Sequence, residues 1–146
     1  MIPVERTIVP HVVAEQVLAT FPRSASVRDA AMTMAERRIG VVLVVEDGRL
    51  VGIFTERDVV TRVVARGGDP DRTTLGEVMT PDPDTIGPDD SVAYALERMS
   101  QAGYRHLPVI DGGELIGIVS IRDLHRSVKD QMEADIILLA ESLVQG

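Results

Sequence analysis

Apolar positions along the chain follow two alternating rhythms, and the same alternation occurs twice. Val17–Phe21 is a short apolar run closed by Pro22. Ser26 follows as a helix N-cap, with Val27, Ala30, Ala31 and Met34 at the i, i+3, i+4, i+7 spacing of a buried stripe. Val41–Val45 is a continuous β-branched-rich run, the pattern of a strand covered on both faces. Glu46-Asp47-Gly48-Arg49 is a turn, because Asp-Gly tolerates the positive φ angles of a tight hairpin. Leu50–Phe54 returns as a second strand. Thr55 opens another helix that reaches Arg66, where Gly67, Gly68 and Pro70 stop it. The second half repeats this. Ser91 precedes the stripe Val92, Ala95, Leu96 and Met99, and Val109–Ile110 leads into the turn Asp111-Gly112-Gly113. Leu115–Val119 then returns to a helix opening at Ser120.

The two halves align without a gap at a shift of 65 residues, Thr20–Val59 over Thr85–Leu124, with 12 of 40 positions identical. The identities include Ser26/Ser91, Met34/Met99, Gly48/Gly113, Gly52/Gly117, Arg57/Arg122 and Asp58/Asp123. Equal turn lengths mean that one supersecondary unit, β-α-β-β-α, is built twice. One unit is too small to bury a good core alone. Two units packed through their sheets share one, which predicts an α/β (α+β) fold built from two β-α-β-β-α repeats.

Composition narrows the function. The 146 residues are 45% hydrophobic and 26% charged, a globular balance in one domain or two small ones. Fifteen basic against 23 acidic residues give a net charge of -8, which argues against gripping nucleic acid or an anionic membrane. Aromatics are 3%, too few for a base-stacking platform. No apolar run approaches the roughly 20 residues of a membrane span. Met1–Thr20 lacks the basic start and apolar block of a signal peptide. With no cysteine, a cytoplasmic location is expected. The connector Gly67–Pro88 is rich in Gly, Pro, Asp and Thr, with a helical signal at 75–79. Its acids, Asp82 and Asp84 among them, fit no calcium loop and read as a solvated linker.

The paired motifs G-I-F-T-E-R-D at Gly52–Asp58 and G-I-V-S-I-R-D at Gly117–Asp123 resemble the end of the CBS (cystathionine β-synthase) domain. So does R-H-L-P-V at Arg105–Val109, and Val78-Met79-Thr80 resembles the start of one. The whole resembles a stand-alone tandem CBS pair, or Bateman module. The expected organisation is a first domain at 10–66, a linker at 67–84, a second domain at 85–127 and a helical extension at 128–146. The resemblance implies two repeats packed with approximate two-fold symmetry, a homodimer, and sensing of adenosyl ligands: AMP, ADP or ATP, with S-adenosylmethionine or NAD as further options. It also implies that some such pairs bind no ligand.

The residues themselves support a similar site. Gly52 and Gly117 lie in strands, where a missing side chain signals close approach to the backbone. Thr55 and Ser120 fall at helix N-termini, where free N–H groups and the helix dipole favour phosphate. Asp58 and Asp123, three residues on, can accept hydrogen bonds from ribose hydroxyls. A competing reading is local: Thr55…Asp58 and Ser120…Asp123 also fit the S/T-x-x-D capping box, in which each Asp folds back on its own helix. Through the resemblance, Thr20 and Thr85 line a nucleoside pocket, and Tyr104, Arg105 and His106 meet base and phosphate. The first unit offers Ile39-Gly40-Val41 where the second has Tyr104-Arg105-His106, so any two pockets are unequal. Arg57 and Arg122 read as helix-face residues, with pairing to acids on their own helices favoured over reaching a phosphate across a dimer. His11, His106 and His125 form no recognisable metal set.

Val128, Met132, Ile136, Leu139 and Leu143 continue the last helix as an apolar stripe. Two occupants are open, the protein's own core or a dimer or effector surface. The sequence carries no HExxH, P-loop, G-x-S-x-G or GxGxxG. The expected function is therefore a ligand-sensing regulatory module acting on an effector protein, not an enzyme. The rival is a constitutive interaction module with empty clefts.

Overall fold

The computed structural model describes residues 6–13 and 16–145. The first unit comprises β1 (Thr20–Phe21), α2 (Val27–Arg37), β2 (Val41–Glu46), β3 (Arg49–Thr55) and α3 (Glu56–Asp58), which widens into a π-helical stretch at Val59–Val64. The second comprises α5 (Val92–Ala102), β5 (His106–Asp111), β6 (Glu114–Ser120) and α6 (Ile121–Gln145). Two short helices precede the units, α1 (Ile8–His11) and α4 (Leu75–Val78), and β4 (Thr80–Pro81) follows α4.

Local chemistry sets these elements as the sequence implies. Ser26 and Ser91 cap α2 and α5 by accepting the amides of Asp29 and Tyr94 at 3.1 and 3.0 Å. Val27, Ala30 and Met34 are buried, as are Val92, Ala95 and Met99. The β2–β3 turn has positive φ at both Asp47 (51°) and Gly48 (76°), the geometry that matches the twist of paired strands. Strand β2 buries four consecutive residues, Val41–Val44.

Sheet order in the first unit is β1-β2-β3-β4, with β1 parallel to β2 and the other pairs antiparallel. The expected strand Val17–Phe21 is shorter than its apolar run, and only Thr20 and Phe21 pair with β2. In the second unit the corresponding strand is a single bridge from Ile86 to Val109, beside the antiparallel pair β5-β6. The added strand β4 comes from the connector.

Three apolar clusters hold the fold. Two lie inside the units, and the third joins Leu43 and Ile53 of the first sheet to Leu115 and Ile118 of the second. The leading helices are exchanged. Ile8, fully buried, packs into the second unit, where its amide donates to the Asp90 carbonyl at 3.0 Å. Leu75 and Met79 pack into the first, where the Leu75 amide donates to the Ala25 carbonyl at 2.9 Å. Each unit's core is thus completed by the segment that precedes the other in sequence.

A candidate ligand cleft between the units

Strand β3 delivers Thr55 to the mouth of α3, and the Glu56 amide donates to the Gly40 carbonyl at 3.0 Å, tying that helix end to the entry of β2. Helix α5 ends with Gly103 in the left-handed conformation (φ 79°), which turns Tyr104-Arg105-His106 toward the first unit. Between these edges opens a cleft of about 680 Å3. Its walls are Gly40, Ile53 and Thr55–Asp58, then Thr80 and Asp82–Asp84, then Gly103–His106. That volume lies within the roughly 300–1,000 Å3 typical of small-molecule sites.

Five of the nine sequence-predicted residues meet here: Thr55, Asp58, Tyr104, Arg105 and His106. Thr20, Thr85, Ser120 and Asp123 do not line it. Thr20 is exposed on β1, and the Thr85 carbonyl is taken by Arg98 at 2.8 Å. Ser120 and Asp123 cap α6.

The capping boxes form at both helices. Asp58 Oδ2 accepts the Thr55 amide at 2.9 Å, and Thr55 Oγ1 accepts the Asp58 amide at 3.2 Å. The Ser120/Asp123 bonds are 3.2 and 3.1 Å. Capping does not use up Asp58. A carboxylate has about four lone-pair sites. One goes to the cap, Arg62 Nε stands 3.5 Å from Oδ1, and the side chain still borders the cleft.

The close approach expected at Gly52 and Gly117 is made by the chain itself. A Cβ on Gly52 would lie 2.2 Å from Met79 Sδ; one on Gly117 would lie 2.9 Å from Val13 and 3.1 Å from Gln16. The glycines admit the segments leading into each repeat, and Gly52 and Gly117 themselves line neither cleft described here.

Sequence reasoning missed Glu56, Thr80, Asp82 and Asp84 as wall residues. Asp82 and Asp84 are exposed, as a solvated linker requires, yet Asp84 also accepts the Tyr104 hydroxyl at 2.8 Å and faces Arg98 at 3.5 Å. The 65-residue register held a signal: Asp82 and Asp84 stand just ahead of Thr85, where the first unit has Val17 and Ala19. Arg57 borders the cleft and has no ion-pair partner among the described residues; Asp58 pairs with Arg62 instead.

Burial pushes His106 below the usual imidazole range, and Arg105 adds to the shift against the opposing pull of Asp123 and Glu56. Its imidazole is therefore neutral at pH 7 and offers a hydrogen bond rather than a charge. Burial, aided by the bond to Asp84, raises the Tyr104 phenol, which stays protonated. Arg57 and Arg105 are the cations on the wall, against Glu56, Asp58, Asp82 and Asp84.

Helix α6 runs 25 residues, about 37 Å at 1.5 Å per residue. The core takes Leu124, Ser127 and part of Val128. Met132, Ile136, Leu139 and Leu143 are each more than half exposed, so the protein's own core does not cover the rest of the stripe. No helix among the described residues is long and apolar enough to cross a membrane.

This arrangement, two exchanged α+β units with a cleft at their seam, is that of a CBS pair. The sequence matches the CBS domain family over residues 10–65 and 75–130, and the chain belongs to that family as a tandem pair. A solved protein with CBS domains from Burkholderia ambifaria superposes with a TM-score of 0.80 at 36% identity, covering 84% of this chain and 93% of that one. A CBS domain protein from Pyrobaculum aerophilum, complexed with AMP, gives 0.70 at 30% identity, covering 77% and 87%. A CBS domain-containing protein of Arabidopsis thaliana is 41% identical over 103 residues, 70% of this chain and 18% of the plant protein. One of Bacillus subtilis is 36% identical over 107 residues, 73% of this chain and 76% of that protein. The chain thus spans about a fifth of the length of this plant protein and of a second Arabidopsis relative that is 39% identical.

Proposed function

We propose that this CBS pair is a non-catalytic regulatory module of the cytoplasm that binds an adenine nucleotide in the cleft between its units. Binding shifts the arrangement of a homodimer or of an effector protein. The observation that carries this reading is the convergence of Thr55, Asp58, Tyr104, Arg105 and His106, from two units, on one open cleft. In this reading Asp58 Oδ1 accepts the ribose hydroxyls while Oδ2 keeps the cap. Arg105 and Arg57 meet the phosphate, His106 donates to phosphate or base, and Tyr104, whose hydroxyl donates to Asp84, offers its ring to the base. AMP is the first ligand to test, because a related protein is solved with it. ADP, ATP, S-adenosylmethionine and NAD are the comparison set. The ligand's effect on the dimer is bounded by its difference in affinity for the two arrangements. The exposed stripe of α6 is the surface through which a second copy or the effector is engaged.

A second reading has its own support. Thr55/Asp58 and Ser120/Asp123 each complete a capping box on their own helix, and α6 exposes apolar surface, as in a constitutive interaction module. Native mass spectrometry of freshly purified protein separates the two. The regulatory reading expects a dimer that carries AMP or takes it up on titration. A mass that never changes with any of the five adenosyl ligands favours the constitutive module.

A further inference from the structure

Two-fold duplication creates a second cleft, and it is built differently. It measures about 180 Å3, below the roughly 300 Å3 at which small-molecule sites begin. At the 65-residue shift, Asp82, Asp84, Tyr104 and His106 of the first cleft become Val17, Ala19, Ile39 and Val41 in the second, and all four line it. These four polar wall positions of the first cleft are all apolar in the second. Arg37, the cation on this wall, has its guanidinium engaged by the Val17 carbonyl.

The mouth is also fastened. In the first unit, β4 lies along the edge of β3 and pairs with it through the backbone. In the second unit, among the described residues, no strand pairs with the corresponding edge of β6. A side chain takes over. Gln16 Nε2 donates to the Ile118 carbonyl at 3.0 Å, and the Ile118 amide donates to Gln16 Oε1 at 2.8 Å. One carboxamide thus satisfies both backbone groups of an exposed sheet edge, as a neighbouring strand would.

We infer that the chain holds one nucleotide, in the first cleft, and that the apolar wall and the Gln16 latch close the second cleft to nucleotides. A phosphate or ribose placed there would lose its water against Val17, Ala19, Ile39 and Val41, whose side chains offer it no hydrogen bond. This inference rests on the nucleotide reading above and adds its stoichiometry.

Calorimetric titration of the full chain with AMP tests it. The expected result is one equivalent per chain. Arg105→Ala, an exposed change in the first cleft, weakens binding at least about tenfold by removing a charged hydrogen bond. Val17→Trp, which fills the second cleft from a position 84% exposed, leaves stoichiometry and affinity unchanged. Gln16→Ala accelerates exchange of the Ile118 amide while the stoichiometry stays at one. Two equivalents per chain overturn the inference and leave the nucleotide reading standing, as does binding lost in Val17→Trp but kept in Arg105→Ala. Unchanged Ile118 exchange in Gln16→Ala overturns the latch. No binding by the unmodified chain removes the nucleotide reading and the inference with it.

Discussion

Replacing Asp58 by alanine separates its two roles, because they act on different observables. In the folded chain Asp58 accepts the Thr55 amide at 2.9 Å and stands 3.5 Å from Arg62, with its own side chain 16% exposed and that of Arg62 38%. Loss of a hydrogen bond to a charged acceptor costs about 1.5 kcal/mol. The partly exposed ion pair, screened by solvent, adds no more than about 0.5 kcal/mol. About 2 kcal/mol leaves a domain of this size folded. At about 2–4 °C per kcal/mol, the unfolding midpoint falls by roughly 4–8 °C. Affinity for AMP should fall by a further, separate amount. A charged acceptor for ribose contributes about 1.5–3 kcal/mol, or roughly 10- to 150-fold in Kd. Asp123→Ala provides the control, since it breaks the matching capping box at α6 but borders neither cleft. Thermal unfolding and calorimetry on both variants give four numbers. The expected pattern is two similar losses of stability and one loss of affinity. If Asp58→Ala binds AMP as tightly as the unmodified chain, Asp58 is a cap and nothing more.

Further outcomes follow from other positions. Because His106 titrates below the ordinary imidazole value of 6.5, the unfolded chain takes up its proton first as pH falls. Stability contributed by neutral His106 is full above about pH 6.5 and is lost as pH drops through its lowered folded value. In urea titrations from pH 7 to 5, His106→Gln should lose less stability than the unmodified chain; equal loss refutes the assignment. Gly52→Ala places a Cβ against Met79 Sδ and should cost about 1–3 kcal/mol, measured as a lower denaturant midpoint. Truncation after Gln131 removes only side chains outside the core clusters, so the midpoint should hold. The mass by light scattering should drop if the α6 stripe joins two copies.

Much of the fold is legible in the sequence because local rules decide it. Ser26 and Ser91 cap, Asp47-Gly48 turns, and the stripes Val27…Met34 and Val92…Met99 face inward. The exchange of α1 and α4 between units is not legible, because periodicity tells which face of a segment is buried but not against which copy. The strand β4 escaped for a related reason: Thr80–Pro81 has no pattern of its own and pairs only because Gly52 leaves the β3 edge open to its approach. At the site, Thr55, Asp58 and Tyr104–His106 stood out through the repeat and the family motif. Asp82 and Asp84 did not, since an acid that borders a cleft has the same sequence signature as one in a solvated linker. The two competing meanings of Thr55…Asp58 proved compatible in geometry, since a cap consumes one carboxylate oxygen of two.

In the proposed function the seam between the two units receives an adenine nucleotide on Asp58. A crystal structure of the full chain grown with saturating AMP tests this most directly. The expected result is density for one AMP in the cleft bounded by Thr55 and Tyr104, with ribose hydroxyls within hydrogen-bond distance of Asp58 Oδ1 and nothing beside Gln16. AMP lying elsewhere, or that cleft empty at saturation, would contradict it.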